Sequence, residues 1–288
     1  MQSAFEVIRA EHLGMCFGVR DAIVLAEEKA REGPLKILGQ LVHNPQVTQR
    51  LEAMGAGTVH ADESTGTQPV MITAHGVSDR MRQSLEKKGG KVWDATCPLV
   101  AQAHRWVRRL ERDGFFPVIV GVSDHVEVRG LTEDLDDFRV VMNSEDVARL
   151  PEKHRYGFAA QTTQPTHRLL ELAAFCRRTF PNADVRVIDT VCQPTKQRQM
   201  SAIQLACRCD VVVVIGGAHS NNTKELVATC REHCPQVYRV STPEELDPLW
   251  FHEARVVGVT AGTSTPDDVV QLIERALRSF SGSPRPQK

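Results

Sequence analysis

The sequence predicts an α/β fold made of three pseudo-symmetric modules, and three observations support this prediction. Short β-branched apolar runs alternate with amphipathic stretches, a pattern typical of parallel sheets with helices on both faces. Three motifs recur in the same order along the chain, which indicates an internal repeat. The composition of the 288 residues, 41% hydrophobic and 25% charged, is globular and excludes disordered, collagen-like and coiled-coil chains.

The elements follow from these runs and stretches, taken in chain order. Apolar runs rich in Val and Ile predict strands at 36–41, 69–73, 91–94, 117–121, 138–142, 156–160, 185–189, 211–215, 237–240 and 255–260. Amphipathic stretches predict helices at 19–32, 45–54, 79–88, 98–113, 166–180, 195–209, 222–233 and 266–279. The tail at 281–288 combines Ser, Gly, Pro and basic residues and is predicted to be disordered.

The charge balance excludes two kinds of partner. Lys and Arg number 35 against 36 Asp and Glu, so no overall basic field attracts nucleic acid or an anionic membrane. No apolar run approaches the roughly 18 residues needed to span a bilayer. Glu6 and Arg9 interrupt the place of a signal peptide's apolar stretch. We therefore expect a soluble, cytoplasmic protein, whose eight cysteines serve in packing, metal binding or catalysis rather than in disulfides.

The repeat is defined by three landmarks, each at the predicted carboxyl end of a strand. The first is a cysteine where a strand gives way to a helix: Cys16, Cys97 and Cys192. The second is a histidine 27 or 28 residues later: His43, His125 and His219. The third is a polar strand end: His75, Gln161 and Gly262. This spacing predicts modules at 14–95, 96–190 and 191–280, with a strand within 1–13 that packs on the third module.

The three cysteines are candidate metal ligands. Parallel α/β sheets bind ligands at the carboxyl ends of their strands, so modules packed around a pseudo-threefold axis would bring these thiols together. Three thiolates without local cysteine partners fit an iron–sulfur cluster better than zinc, whose structural ligands usually come in local pairs. A cubane held by three thiolates keeps one iron open to an exogenous oxygen, which favours catalysis over plain electron transfer. A zinc-stabilised trefoil is the alternative.

The remaining cysteines are interpreted as buried, inert thiols. A four-cysteine zinc site is the alternative for four of them: Cys207, Cys209, Cys230 and Cys234.

Two predicted helix starts indicate an anion-binding pocket. Ser220-Asn221-Asn222-Thr223 follows an apolar run and Gly216-Gly217, and Thr263-Ser264-Thr265-Pro266 opens the last helix. Exposed N–H groups and the helix dipole favour anions at such positions. His43 and His75 can add positive charge or hydrogen-bond donors. These features favour a diphosphate-like ligand, and the alternative is that the polar residues are ordinary N-caps.

Glu127 is the candidate proton donor. It lies two residues after His125, and in a dry site its pKa would rise, so that it could deliver a proton. Thr162 and Thr163 could relay that proton through their hydroxyls or a water. The alternative is a solvated carboxylate at a helix start.

The same motifs carry a resemblance to a known family. They are Gly14-Met-Cys16-Phe-Gly18-Val19, Val42-His43-Asn44, Ala74-His75-Gly76-Val77-Ser78, Asp94-Ala-Thr-Cys97-Pro98, His125-Val-Glu127-Val128, Gln161-Thr-Thr163, Asp189-Thr-Val-Cys192, Gly216-Gly217 with Ser220 and Asn222, and Thr260-Ala-Gly262-Thr-Ser264. Together, from residue 11 to residue 275, they resemble the 4-hydroxy-3-methylbut-2-enyl diphosphate reductase (IspH/LytB) family. Each motif alone is weak, whereas their combination in the family's order is highly specific.

The resemblance implies a trefoil of three α/β modules around a central [4Fe–4S] cluster held by Cys16, Cys97 and Cys192. It implies the last step of the non-mevalonate isoprenoid pathway, in which the substrate's allylic hydroxyl binds the open iron and leaves as water, giving isopentenyl and dimethylallyl diphosphate. Glu127, Thr162 and His125 would be catalytic, and reduced ferredoxin or flavodoxin would supply electrons. The diphosphate would lie among the following residues: His43, His75, His125, Thr195, Ser220, Asn221, Asn222 and Ser264.

The sequence departs from the family's pattern at the pocket wall. The changed positions are Val126 for Pro, Leu131 for Thr after Gly130, Pro194 for Ala, and His219-Ser220-Asn221-Asn222 for Asn-Ser-Ser-Asn. An extra imidazole at His219 could strengthen anion binding or narrow the entrance. The cluster ligands, the acid and the ring histidines are intact, so turnover is expected. The changes motivate one alternative, a paralogue acting on a different allylic diphosphate; a second alternative is a non-catalytic iron–sulfur redox sensor.

Overall fold

A computed structural model describes residues 5–42, 44–60 and 66–281. The described chain forms three sheets of four strands each, and every strand pair in them is parallel. The predicted fold class, α/β with three parallel sheets, is therefore confirmed. The predicted tail lies outside the described residues, except for Ser281, which ends the last helix.

The strands, in chain order, are β1 (Glu6–Arg9), β2 (Leu35–Leu38), β3 (Ala56–Val59), β4 (Val70–Ile72), β5 (Val92–Asp94), β6 (Phe116–Val120), β7 (Arg139–Val141), β8 (Arg155–Ala160), β9 (Asp184–Val187), β10 (Val211–Ile215), β11 (Gln236–Val240) and β12 (Val256–Ala261). The α-helices are α1 (Phe17–Glu32), α2 (Pro45–Ala53), α3 (Asp79–Lys87), α4 (Pro98–Arg112), α5 (Val126–Thr132), α6 (Ser144–Ala148), α7 (Thr166–Thr179), α8 (Gln193–Ala206), α9 (Asn221–Arg231) and α10 (Asp267–Ser281). Sequence periodicity had not predicted β3, α5 or α6.

The three sheets share one strand order. They run β3-β2-β4-β5, β7-β6-β8-β9 and β11-β10-β12-β1, so each has its first strand beside its second and third, and a fourth strand at the edge. In the last sheet the edge place is taken by β1, whose Glu6 pairs with Val256 of β12. A single βαβ plan is thus used three times, and the third copy is completed from the other end of the sequence.

The central strands are buried on both faces, which explains their unbroken apolar character. In β10, Val211, Val213 and Ile215 pack into one core cluster with α10, whereas Val212 and Val214 pack into another with α8 and α9. All five side chains are buried. Helices therefore cover both sides of this sheet.

The chain divides into two compact units. The central unit, Gly18–Cys192, holds the first two sheets, and the terminal unit, from Met1–Phe17 and Gln193–Lys288, holds the third sheet. The module boundaries at 14–95, 96–190 and 191–280 remain predictions. Within the described ranges, no helix combines the length and apolar character needed to cross a membrane.

Candidate active site

The three landmark cysteines occupy equivalent backbone positions. Each follows the edge strand of a sheet and immediately precedes a helix: Cys16 before α1, Cys97 before α4 and Cys192 before α8. Each also donates its backbone N–H to a carbonyl just past the third strand of its sheet. The three bonds are Cys16 to Thr263 at 3.1 Å, Cys97 to Ala74 at 3.0 Å and Cys192 to Thr162 at 3.0 Å.

The third landmark needs a correction by two residues in the first module. The turn after the third strand is closed by the same backbone bond in each sheet: Gly76 to Thr73, Gln164 to Gln161, and Thr265 to Gly262. Thr73, rather than His75, is therefore the equivalent of Gln161 and Gly262. His75 instead corresponds to Thr163 and Ser264, so the predicted ring of His75, Gln161 and Gly262 was wrongly aligned.

The second landmark is also corrected in the third module. Backbone bonds to the second strand align Gly39, Gly121 and Gly216. Four residues after them lie His43, His125 and Ser220, so Ser220 takes the place that spacing had assigned to His219. His219 is exposed, whereas Ser220 is buried. His43 lies outside the described residues.

The surroundings of Cys97 leave room for a sulfur atom. A Cβ placed on Gly18, in the first turn of α1, would lie 2.5 Å from Cys97 Sγ, so glycine is required for this close approach. Cys16, Cys97 and Cys192 are all partly exposed. By contrast, Cys176 and Cys230 are buried, and burial raises the pKa of their thiols to about 11 and about 12. These two fit the expectation of inert packing thiols.

Glu127 is buried at the start of α5, with only 2% of its surface exposed. Thr162 donates its backbone N–H to Oε1 at 2.6 Å and its hydroxyl to Oε2 at 3.0 Å. Burial raises the pKa of Glu127 to about 7, although both bonds from Thr162 oppose the rise. The carboxyl group is therefore poised to hold or release a proton near neutral pH, as predicted for an acid in a dry site.

Two histidines accompany Glu127 in the central unit. The rings of His75 and His125 meet edge to face with centroids 5.5 Å apart. His125 is the N-cap of α5, and its Nδ1 accepts the backbone N–H of Glu127 at 3.1 Å. When His125 is neutral, this bond places its proton on Nε2, which can then donate to a ligand. His75 Nδ1 lies 3.2 Å from the Thr73 hydroxyl.

The polar helix start of α9 lies in the terminal unit. Ser220 is its N-cap and accepts the backbone N–H of Thr223 at 3.3 Å. Asn222 is 4% exposed, and its Nδ2 has no hydrogen-bond partner among the described residues. A buried amide without a partner is costly, which indicates that a ligand satisfies it. Thr195 is fully buried in α8, and Ser264 is half-buried after β12.

The predicted site residues are distributed over both units. The central unit holds Cys97, Cys192, His75, His125, Glu127 and Thr162, and the terminal unit holds Cys16, Thr195, Ser220, Asn221, Asn222 and Ser264. Within residues 5–42, 44–60 and 66–281, no group of three His, Cys, Asp or Glu side chains forms a ready-made metal site. The ligand set of Cys16, Cys97 and Cys192 therefore remains a prediction.

Sequence reasoning missed two buried residues beside these motifs. Thr223 fills the space that a side chain at Gly216 or Gly262 would need, since a Cβ there would lie 2.3 or 2.4 Å from its hydroxyl. His104 of α4 lies close to Gly76 and Gly130, and burial lowers its pKa to about 4. The paired glycines were a signal for the first residue, and no sequence motif marked the second.

Parallel sheets with polar groups at their carboxyl ends, and a buried carboxyl group titrating near neutrality, define an α/β enzyme. The chain belongs to the LytB protein family, whose model matches residues 7–278. The resemblance found in the sequence is therefore confirmed.

Curated relatives and solved structures agree with this assignment. The chain is 40% identical to a 4-hydroxy-3-methylbut-2-enyl diphosphate reductase of Geobacter sulfurreducens, covering 93% of this chain and 97% of the relative. It is 38% identical to the reductase of that name in Aquifex aeolicus, covering 96% of both. The solved reductase from Plasmodium falciparum aligns with a TM-score of 0.88 and 26% identity, covering 95% of this chain and 88% of that one.

A second solved structure, described as the terminal enzyme of the non-mevalonate pathway, aligns with a TM-score of 0.69 and 38% identity over 96% of this chain and 99% of that one. The predicted enzyme class, an oxidoreductase, is confirmed by these relatives.

Proposed function

We propose that this chain reduces 4-hydroxy-3-methylbut-2-enyl diphosphate to isopentenyl and dimethylallyl diphosphate. The allylic C–O bond breaks and a C–H bond forms; two electrons and two protons are consumed, and the hydroxyl oxygen leaves as water. The observation that carries the proposal is the buried Glu127–Thr162 pair in a chain of this family, because the reaction needs a proton donor shielded from solvent.

The proposal includes a [4Fe–4S] cluster held by Cys16, Cys97 and Cys192. The donor set fits, because thiolates are the usual ligands of such clusters and the three cysteines share one backbone position before a helix. The space kept beside Cys97 by Gly18 also suits an atom larger than those of an ordinary packing contact. When bound, the cluster supplies the electrons and a Lewis acid for the departing hydroxyl.

The diphosphate is assigned to polar groups on both units. Ser220, Asn221 and Asn222 open α9, where the helix dipole favours negative charge, and Asn222 Nδ2 is a buried donor in need of an acceptor. Thr195 and Ser264 add hydroxyls in the terminal unit. His43, His75 and His125 complete the set as imidazole donors, with Nε2 of neutral His125 directed by its Nδ1 bond.

Glu127 is assigned the role of proton donor. In its protonated form the backbone N–H of Thr162 still needs an acceptor, which is Oε1, so the proton belongs on Oε2 facing the Thr162 hydroxyl. That hydroxyl can reverse its bond and pass the proton on. Near pH 7 both protonation states are populated, so Glu127 can be reloaded between turnovers.

One observation favours a second candidate, a paralogue acting on a different allylic diphosphate. Val126, where the family usually has Pro, lines a largely apolar cavity of about 280 Å³ in the central unit. The cavity is also lined by Gly76 and Gly130, the neighbours of His75 and of the altered Leu131. A longer apolar chain next to the diphosphate would have space there.

The electron source is assigned to reduced ferredoxin or flavodoxin, and the reaction to the cytoplasm. Neither nucleic acid nor a membrane takes part in this proposal.

Anaerobic turnover tests the function directly. The cluster-loaded protein is mixed with 4-hydroxy-3-methylbut-2-enyl diphosphate and dithionite, and products are separated by chromatography. We expect isopentenyl and dimethylallyl diphosphate, and their absence from fully loaded protein would refute the proposal. An allylic diphosphate with a longer chain, run in parallel, tests the paralogue: it should be reduced at least tenfold more slowly.

A further inference from the structure

The outer face of α4 carries a strip of exposed basic residues with an exposed tryptophan among them. Residues 102, 105, 106, 109 and 112 lie on one side of this helix by their 100° spacing, and all five are exposed. They are Gln102, Arg105, Trp106, Arg109 and Arg112. The opposite side is buried by Ala103, Val107 and Leu110. The strip holds no acidic residue, in a chain whose net charge is −1.

The charges of the strip are largely uncompensated. Among the described residues, Arg105 and Arg112 form no ion pair, and Arg109 only approaches Asp113, at 3.7 Å. Trp106 is 37% exposed, and the Arg109 guanidinium lies 5.8 Å from its ring centroid. Exposed Trp and Arg side chains side by side are the residue types most enriched at the centres of protein–protein interfaces.

The strip leads to the proposed cluster. Cys97 is the N-cap of α4, and the exposed face begins at the next residue, Pro98. At 1.5 Å per residue, Trp106 lies about 13 Å along the helix from Cys97. A protein docked on this face would therefore approach one of the three proposed ligands more closely than one docked at the far end of the sheet.

We infer that the α4 face is the docking surface for a small acidic one-electron carrier protein, an inference that rests on the proposed function. Two such deliveries complete each reduction, and each carrier is oxidised by one electron. Basic Arg105, Arg109 and Arg112 attract an acidic surface and raise the rate of encounter, while Trp106 supplies apolar contact area. Nucleic acid is the other polyanion that such a strip could attract.

The experiment compares two electron sources. The Arg105→Glu/Arg112→Glu variant is assayed with reduced acidic ferredoxin, with reduced flavodoxin and with dithionite. We expect the KM for the protein carriers to rise at least tenfold, and the dithionite rate to stay within twofold of wild type. Trp106→Ala should raise the same KM by about fivefold with little change in its salt dependence, since it removes contact area rather than charge.

The matched control reverses two arginines on another exposed helix. Arg275→Glu/Arg278→Glu makes the same change of charge on α10, which also has 15 residues and also carries a basic residue in its last turn. This variant should keep the wild-type KM for the carriers. An equal loss in both variants, or none in the α4 variant, would overturn the docking surface.

The outcomes separate this inference from the proposed function. No dithionite turnover in wild type refutes the function, and direct titration of oxidised carrier onto cluster-loaded protein then still tests the surface. If carrier binding is unchanged but the α4 variant loses affinity for a labelled DNA duplex, the surface belongs to nucleic acid instead. Thermal unfolding of each variant establishes that it folds.

Discussion

Thr162 holds the carboxyl group of Glu127 with both of its polar groups, the backbone N–H at 2.6 Å and the hydroxyl at 3.0 Å. The first bond has a fixed direction, whereas the second can reverse. The same residue also accepts the backbone N–H of Cys192. One threonine therefore connects the candidate acid to a candidate cluster ligand.

Replacing Glu127 by Gln should lower turnover by roughly 10²-fold or more, as expected for a lost general acid. The amide can keep both bonds to Thr162, accepting from its N–H and donating to its hydroxyl. Cluster content and pyrophosphate affinity should therefore stay at the wild-type level. The measurement is kcat under saturating dithionite, with iron content and binding as controls. An unchanged rate would assign the proton to another group.

The same substitution should change how stability depends on pH. The pKa of Glu127 rises from an ordinary 4.5 to about 7 on folding, so the folded protein binds a proton that the unfolded chain has released. Stability therefore falls as pH rises from about 4.5 to about 7. The shift corresponds to about 3 kcal/mol.

Glu127→Gln lacks this titration. Urea unfolding at pH 5 and pH 8 should show the wild type losing about 3 kcal/mol relative to the variant. Parallel stability curves for the two proteins would mean that the carboxyl group titrates normally.

Cys97→Ser should lose the cluster or most of it, because a serine hydroxyl is a poor ligand for iron at neutral pH. Cys207→Ser is the matched control, since Cys207 is exposed and lies at the end of a helix. Absorption near 400 nm and iron content after anaerobic reconstitution provide the measurement. Full retention by the Cys97 variant would contradict its role as a ligand.

Gly18→Ala should disturb the same centre without harming the helix. Alanine favours a helix interior over glycine by up to about 1 kcal/mol, yet its Cβ would lie 2.5 Å from Cys97 Sγ. We expect at least a twofold lower cluster content in apoprotein titrated with iron and sulfide. Gly57→Ala is the control, because its nearest neighbour is the flexible end of Lys36 at 3.6 Å. Equal cluster content in both variants would show that Cys97 can move aside.

Asn222→Leu should weaken binding of inorganic pyrophosphate by about tenfold, the loss of one hydrogen bond to a charged group. Stability should be unchanged or higher, because a buried donor without a protein partner is removed. Thr260→Val is the control, since it removes another buried hydroxyl without a described partner, one that lies within β12. Calorimetric titration and thermal unfolding measure the two effects. A large fall in stability with unchanged affinity would give Asn222 a structural role.

The sequence predicted the sheets well because their central strands are buried on both faces and read as unbroken apolar runs. It missed β3, where Gly55 and Gly57 weaken the strand pattern around Ala56–Val59. It missed α5 because the cap is a histidine ring nitrogen rather than one of the usual Ser, Thr, Asp or Asn side chains.

The site was predicted in kind, with errors of alignment. Counting residues from each cysteine gave His219 for Ser220, because the loop lengths before α5 and α9 differ relative to their cysteines. Main-chain bonds fix the correct register, and no side-chain pattern in a single sequence reveals them. The titration of Glu127 near neutrality depends on its burial, which the sequence could suggest but not establish.

The placement of β1 beside β12 has a consequence for biosynthesis. Roughly 250 residues separate these paired strands, and at about 5–20 residues per second the ribosome needs roughly 12–50 s to deliver the second after the first. During that time the nascent β1 has no edge to join, while the two other sheets can already form. Maturation of this chain should therefore end with a slow closing step in which the earliest strand docks on the latest.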